Sequence, residues 1–406
     1  MRVLGKLVAA ALCATLAACG GESDKNQVLC DASPAEVDWE ALLTKQATKL
    51  SEYRLFEKSC DPTRAPNQGG IPYDLTTGLF TDYSTKYRFI FTPPNTTVSY
   101  SENEVLEFPI GTVLVKTFAL PKDTQSRGYV AETGFDDEKL IETRLLIRRQ
   151  YGWIALPYVW DEDRRDATFI KTGLTFDASL VHKGENKQFT YGVPDVQTCK
   201  QCHQLTNVEE VDGENISIAR FMPIGPKARF LNRDFDFDSG VQNQLAYMVE
   251  NGVLTGAPED LTSIETVPAF VDSTDISGKN SAQLEALAKG YLDVNCAHCH
   301  RRTDTEDGSL QNDGKAGYSG LKLEYWRDLM GNEVAHGLCK TPIAFTAEGY
   351  PFDIWPGNAD QSVIPYRMAL KTAKKMPEVG RDLTHDEGIE LVRAWINSMP
   401  VDDCGQ

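Results

Sequence analysis

The sequence predicts an α+β, multidomain chain: a β-rich N-terminal domain followed by two mainly α-helical domains. Three observations predict it. Residues 63–195 alternate β-branched or aromatic residues with polar ones. Leu284, Leu287, Ala288, Tyr291 and Val294, and later Ile389, Val392, Ile396 and Met399, recur at helical spacing. Two short cysteine–histidine motifs, TCKQCHQ at 198–204 and NCAHCHRR at 295–302, each introduce one of the two C-terminal stretches. A length of 406 residues accommodates two or three domains. The charge balance, 41 Lys+Arg against 59 Asp+Glu, repels nucleic acid and fits a solvated acidic surface, with docking to a basic partner as the second reading.

The chain opens MRVLGKLVAAALCATLAACG. Arg2 and Lys6 precede an apolar run that is too short to span a bilayer and has the form of an export signal. Its end, Leu16-Ala17-Ala18-Cys19, resembles a bacterial lipobox. That implies cleavage after residue 18, a lipid on Cys19 and, with Gly20 following, sorting to the outer membrane. An ordinary Ala-x-Ala cleavage site is the alternative. Residues 1–18 are therefore expected to be a signal peptide. Residues 19–62 would be an anchor and linker carrying a helix over 36–57, AEVDWEALLTKQATKLSEYRLF.

The β-rich domain, 63–195, is expected to take its strands from KYRFIFTPP, EVLEFPIGTVLVKTFAL, IETRLLIRRQYGWIALPYVW and ATFIKTGLTF, broken at Gly and Pro. Its aromatics suit a half-buried sheet, with a docking face as the alternative.

In Cys-x-x-Cys-His two thiols can add to the vinyl groups of a haem, and the histidine that follows lies under the iron. Zinc is the main rival, but zinc sites usually place their ligand pairs 12–20 residues apart, and Cys199 and Cys296 lie 97 positions apart. A thioredoxin-like pair has no need of the histidine. The expected cofactors are thus two covalent haem c groups, attached through Cys199 and Cys202 and through Cys296 and Cys299. His203 and His300 are the proximal ligands, and His298 is a spacer at the surface.

The two C-terminal domains, 196–275 and 276–406, then read as cytochrome c-like. In the second, the helix before Cys296 and a last helix with a capping box from Thr384 and Glu387 resemble the crossing pair of a class I cytochrome c, with Ala288 or Gly290 letting Trp395 pack close. The sixth iron ligand is expected to be Met376, whose Pro377 neighbour favours extended backbone; Met368 and Met399 are rivals. Residues 301–355 read as an insert over the haem edge. In the first domain Met222-Pro223 precedes a helix at about 241–253 in the same order. Met222 is the candidate ligand, with Met248, His182 or an open position as alternatives. Lys227, Arg229 and Arg233 are candidates for haem propionates, or for ordinary surface.

Of the remaining cysteines, proximity suggests Cys30–Cys60 and Cys339–Cys404 disulfides in an oxidising compartment. The stretches PYDLTTGLFTDYSTKYRFIF, EFPIGTVLVKTFALP, IETRLLIRRQYGWIALPYVWDED, CKQCHQ, IGPKARFLNRDFDF, CAHCHR and PGNADQSVIPYRM resemble an uncharacterised family of diheme c-type cytochromes of Gram-negative bacteria. That resemblance implies a frequent pairing with an exported parallel β-helix protein. The expected function is a periplasm-facing, lipid-anchored electron carrier serving redox partner proteins of the cell envelope, with no nucleic-acid partner. A diheme peroxidase-like enzyme acting at the first haem, or a β-domain binding module with redox-sensing haems, are the alternatives.

Overall fold

The computed structural model describes residues 32–126, 138–304 and 310–405. Cys19, Cys30 and the whole export segment lie outside the described residues. No described helix is long and apolar enough to cross a membrane.

The strands are β1 (Gly70–Pro72), β2 (Thr85–Phe91), β3 (Val98–Ser99), β4 (Val113–Pro121), β5 (Glu138–Arg149), β6 (Gly152–Trp160) and β7 (Ala167–Phe169). All but β3 form one antiparallel sheet in the order β1-β2-β4-β5-β6-β7. Side chains alternate between the faces of a strand, and here both faces are covered. Phe89, Phe91, Val113, Val115, Leu145 and Ile147 pack into one core with Leu42, Leu50 and Tyr53. Ile90, Leu114 and Leu146 point into a second core, with Phe230, Leu245 and Val267. A further hairpin, β8 (Leu174–His182) and β9 (Glu185–Val193), packs beside the sheet through Leu180, Phe189 and Tyr191.

The stretch 36–57 is not one helix. It makes α1 (Trp39–Thr44), capped by Asp38, and a separate 3-10 turn at Leu50–Tyr53. Between them Ala47 bonds outward: its N–H donates to the Tyr53 hydroxyl at 3.0 Å, and its carbonyl accepts from the Tyr158 hydroxyl at 2.9 Å. These contacts, one with the 3-10 turn and one with the sheet, replace the helical bonds.

The two mainly α-helical cytochrome domains are not formed. After the first motif, which sits on α2 (Val196–His203), the chain enters a hairpin of β10 (Gln204–Val211) and β11 (Glu214–Phe221). Asp212 and Gly213 turn it with positive φ at both residues. Asp-Gly between two stretches of strand-forming residues is a strong hairpin signal. Only two short helices follow, α3 (Ala228–Leu231) and α4 (Gln244–Glu250). In the C-terminal part α5 (Ser281–Leu292), α6 (Val363–Ala369) and α7 (Asp386–Ser398) stand among long irregular segments. The chain as described is richer in strand than in helix.

The expected contact of α5 with α7 does form. Leu284, Leu287, Ala288 and Tyr291 share a core with Leu391, Val392, Trp395 and Ile396; each such large side chain contributes roughly 1.5–3 kcal/mol by burial. Of the two small residues expected to allow close approach, Ala288 lies in that core with Trp395 and Gly290 does not. Gly388 of α7 faces the Tyr291 ring, where a Cβ would lie 2.5 Å from it, whereas Gly290 faces Val267 and Tyr325. The capping box of Thr384 and Glu387 is absent: the N-cap is His385 without a side-chain cap bond. Glu387 instead turns inward, accepting from the Tyr83 hydroxyl at 3.0 Å and meeting His182 Nε2 at 2.9 Å and Lys183 Nζ at 2.6 Å. Asp82 likewise accepts from the N–H groups of Asp382 and Leu383, both at 2.7 Å. These bonds fasten the C-terminal helix and its preceding loop to the β-rich half.

Candidate functional site: two cysteine–histidine motifs at one cavity

The first motif begins where Asp195 caps α2 through the Thr198 N–H at 2.6 Å, which fixes the turn carrying Cys199 and Cys202. His203 ends the helix. Its Nδ1 lies 2.7 Å from the Met222 carbonyl oxygen, and its ring lies flat on Phe221, with centroids 4.9 Å apart. Nδ1 is therefore the donor, and Nε2 keeps its lone pair. Burial lowers the His203 pKa to about 4, so the imidazole is neutral, the form that binds a metal.

The second motif follows α5 on a widened helical turn, Asp293–Ala297. Asp293 anchors that turn. It is wholly buried, forms an ion pair with Lys227, and accepts from the Tyr325 N–H at 2.9 Å. Asn295 ties the turn to the β-rich half by accepting from the Phe80 N–H at 2.8 Å. Gly314 lets the strand Asp313–Gly314 press on the motif backbone; a Cβ there would lie 2.7 Å from the His298 carbonyl oxygen. His300 Nδ1 lies 3.0 Å from Ser319 Oγ, and burial lowers its pKa too, to about 4.

The two motifs touch. Cys299 Sγ donates to the Gln201 carbonyl at 3.3 Å. Ligand atoms of Cys202, His298 and Cys299 all lie within 4.8 Å of one another. Hydrogen bonds from Cys299 and His298 push the Cys202 thiol toward thiolate, while donation to Cys202 pushes Cys299 the other way. His298 is thus part of the junction and not a surface spacer. The four motif cysteines are free and half-buried; burial raises the Cys296 thiol to about 12.

A cavity of about 470 Å³ opens at this junction. Cys199, Cys202, His203, Cys296 and His298 line it, as do Met368 and Met376. His300 and Cys299 lie off it. Met376 is held by Arg381, whose Nη2 donates to the carbonyls of Met376 at 2.7 Å, Met368 at 2.9 Å and Leu370 at 3.1 Å. The structure therefore brings Met376 to the cavity of His203.

Met222 is placed otherwise. Its N–H donates to the His203 carbonyl at 2.7 Å, its own carbonyl takes His203 Nδ1, and its side chain packs in the second core. It does not line the cavity. Among the alternatives, Met248 and Met399 are core residues, and both His182 ring nitrogens are engaged, by Thr124 and Glu387.

The cations expected at haem propionates are also elsewhere. Lys227 and Arg229 serve Asp293. Arg233 donates to the Leu75 carbonyl at 3.1 Å. The cations that do line the cavity, Arg88, Lys116, Arg144, Lys375 and Arg381, come from the sheet and from the loop before α7. Strand alternation would have put the first three on one face, but no local pattern says which face.

Cys339 and Cys404 form a disulfide, with Cα atoms 5.2 Å apart. Cys60 is buried and disulfide-bonded. No family model matches the chain, and no curated protein and no solved structure matches it.

Proposed function

We propose that the chain is an exported electron carrier holding two covalent haem c groups, one on each Cys-x-x-Cys-His motif. The supporting observation is the meeting of the two motifs at one cavity, with His203 fixed through Nδ1 so that Nε2 is free to bind iron. The residues present fit the group. Four thiols are free, both motif histidines are half-buried and neutral, and an apolar cavity with a cationic wall, where Met376 and Met368 offer soft sulfur, stands beside His203.

The haem supplies the one-electron chemistry. The chain's own residues do the rest. Cys199, Cys202, Cys296 and Cys299 anchor. The Met222 carbonyl and Ser319 Oγ orient His203 and His300. Arg381 holds the methionine loop. The β-sheet closes one wall of the cavity. With Cys202 beside Cys299, the two attachment points adjoin, which suits passage of an electron from one group to the other. Export, the lipid on Cys19 and redox partners in the envelope, among them a parallel β-helix protein, belong to this proposal on the strength of the sequence alone.

The test is covalent haem stoichiometry after expression in a host with attachment machinery. Two haems per chain are expected, and none would remove the proposal. A peroxidase-like reading has one observation in its favour: His385 lines the same cavity, with Nε2 3.0 Å from Asp272 and Nδ1 3.1 Å from the Tyr291 hydroxyl, so an acid–base group is at hand. Carbon monoxide binding by the reduced protein would favour catalysis over relay.

A further inference from the structure

Arg88, Lys116 and Arg144 stand directly opposite one another across three adjacent strands: Arg88 pairs with Lys116, and Lys116 with Arg144. All three line the cavity. Like charges placed opposite on one sheet face are destabilising, so such a row is costly unless something negative lies over it. The chain offers only part of that. Arg88 Nη1 meets Asp74 at 2.5 Å, and Arg144 is held by both oxygens of Glu142, at 2.8 and 2.6 Å. Lys116, in the middle, has no hydrogen-bond or ion-pair partner among the described residues; its Nζ rests 5.0 Å from the Phe118 ring centroid. Burial and the charges of Arg88, Lys86 and Arg144 hold its pKa well below that of an ordinary lysine, and an anion placed beside it would favour its charged form. Lys375 and Arg381 add positive charge to the same cavity.

We propose that the Arg88–Lys116–Arg144 row is an oxyanion site, built to receive carboxylate or phosphate oxygens inside the cavity. Two sources carry that chemistry: the propionate carboxylates of a haem held by the first motif, and a free oxyanion entering from solvent. The first source rests on the haem reading above, and the second does not. Both place the negative charge over Lys116, where two guanidinium groups flank it. The guanidinium N–H groups of Arg88 and Arg144 beyond those given to Asp74 and Glu142 are donors suited to oxyanions.

The experiment compares the purified full chain with Lys116→Met and Lys116→Arg, after haem staining of each. Resonance Raman records the propionate bending band, and thermal unfolding is followed with and without inorganic phosphate. If haem carboxylates fill the site, the band shifts in Lys116→Met, is restored in Lys116→Arg, and phosphate changes no midpoint. If a free oxyanion fills it, phosphate raises the wild-type and Lys116→Arg midpoints and leaves Lys116→Met unmoved. A band and a set of midpoints insensitive to all of these overturn the site. A chain without covalent haem that still responds to phosphate through Lys116 would sink the haem reading and leave this site standing.

Discussion

His203 Nδ1 is hydrogen-bonded to the backbone carbonyl of Met222, 2.7 Å away. The residue that by sequence order looked like a ligand opposite the histidine is, in space, the group that orients it. A backbone carbonyl survives substitution of the side chain that carries it. Met222→Leu should therefore leave the ligand-field spectrum of the haem-loaded protein unchanged, whereas Met376→Leu should abolish the methionine-to-iron band of one centre. The reverse outcome would return Met222 to the ligand set.

Arg381 holds the Met376 loop through carbonyls of Met368, Leu370, Met376 and Leu383. Removing a charged donor leaves buried acceptors unpaired. We expect Arg381→Ala to cost about 2–4 kcal/mol in denaturant unfolding. It should also broaden or displace the same methionine band. Unfolding at the wild-type midpoint would show that the loop is held by other contacts.

Asp82 has its pKa raised to about 6 by burial, against the two backbone N–H groups of Leu383 and Asp382 that lower it. Folding therefore favours its protonated form. In the unfolded chain the group titrates near the ordinary aspartate value of about 3.9. Its contribution to stability is complete below pH ~4 and is lost as pH rises to about 6. Asp82→Asn keeps an acceptor oxygen and suits the left-handed φ of 44°. The variant should lose this component, at most about 3 kcal/mol. Unfolding curves taken between pH 4 and 7 measure it, and identical pH dependence in both proteins would remove the assignment.

Gly388 sits where α7 crosses α5, with the Tyr291 ring where a Cβ would be and His385 Nδ1 2.8 Å away from it. Alanine is the better helix former, by about 1 kcal/mol in an open helix. Here the overlap decides, and Gly388→Ala should destabilise by about 1–3 kcal/mol. Calorimetry of the variant would show whether the helix pair has room.

The Cys339–Cys404 disulfide closes a loop of 65 residues and ties the C-terminal tail to the loop beside Ile354. Cys404→Ser should cost about 2–4 kcal/mol, read as a lower unfolding midpoint. Treatment with a reductant should lower the wild-type midpoint by more than the variant's, and the difference should equal the loss in Cys404→Ser, since both proteins also carry the Cys60 disulfide.

The sequence by itself determined what is local. The two Cys-x-x-Cys-His pentapeptides, on which the haem proposal rests, are read from ten residues alone. Alternation marked the strands at Thr85–Phe91, Glu138–Arg149 and Gly152–Trp160, and proximity suggested the Cys339–Cys404 bridge. The Asp212-Gly213 turn is equally local, and it makes Gln204–Phe221 a hairpin inside a stretch whose motif order points to a helical domain. Tertiary structure decided the rest, because it depends on partners far along the chain. Glu387 is a capping residue in sequence and a buried acceptor in space, since Tyr83 and His182 lie against it. Lys227 looked free for a propionate until Asp293 met it. Arg88, Lys116 and Arg144 are unremarkable strand residues until strand register sets them side by side. Register comes from which cores the two sheet faces fill, a global property of packing, and it is what sets that row at the cavity.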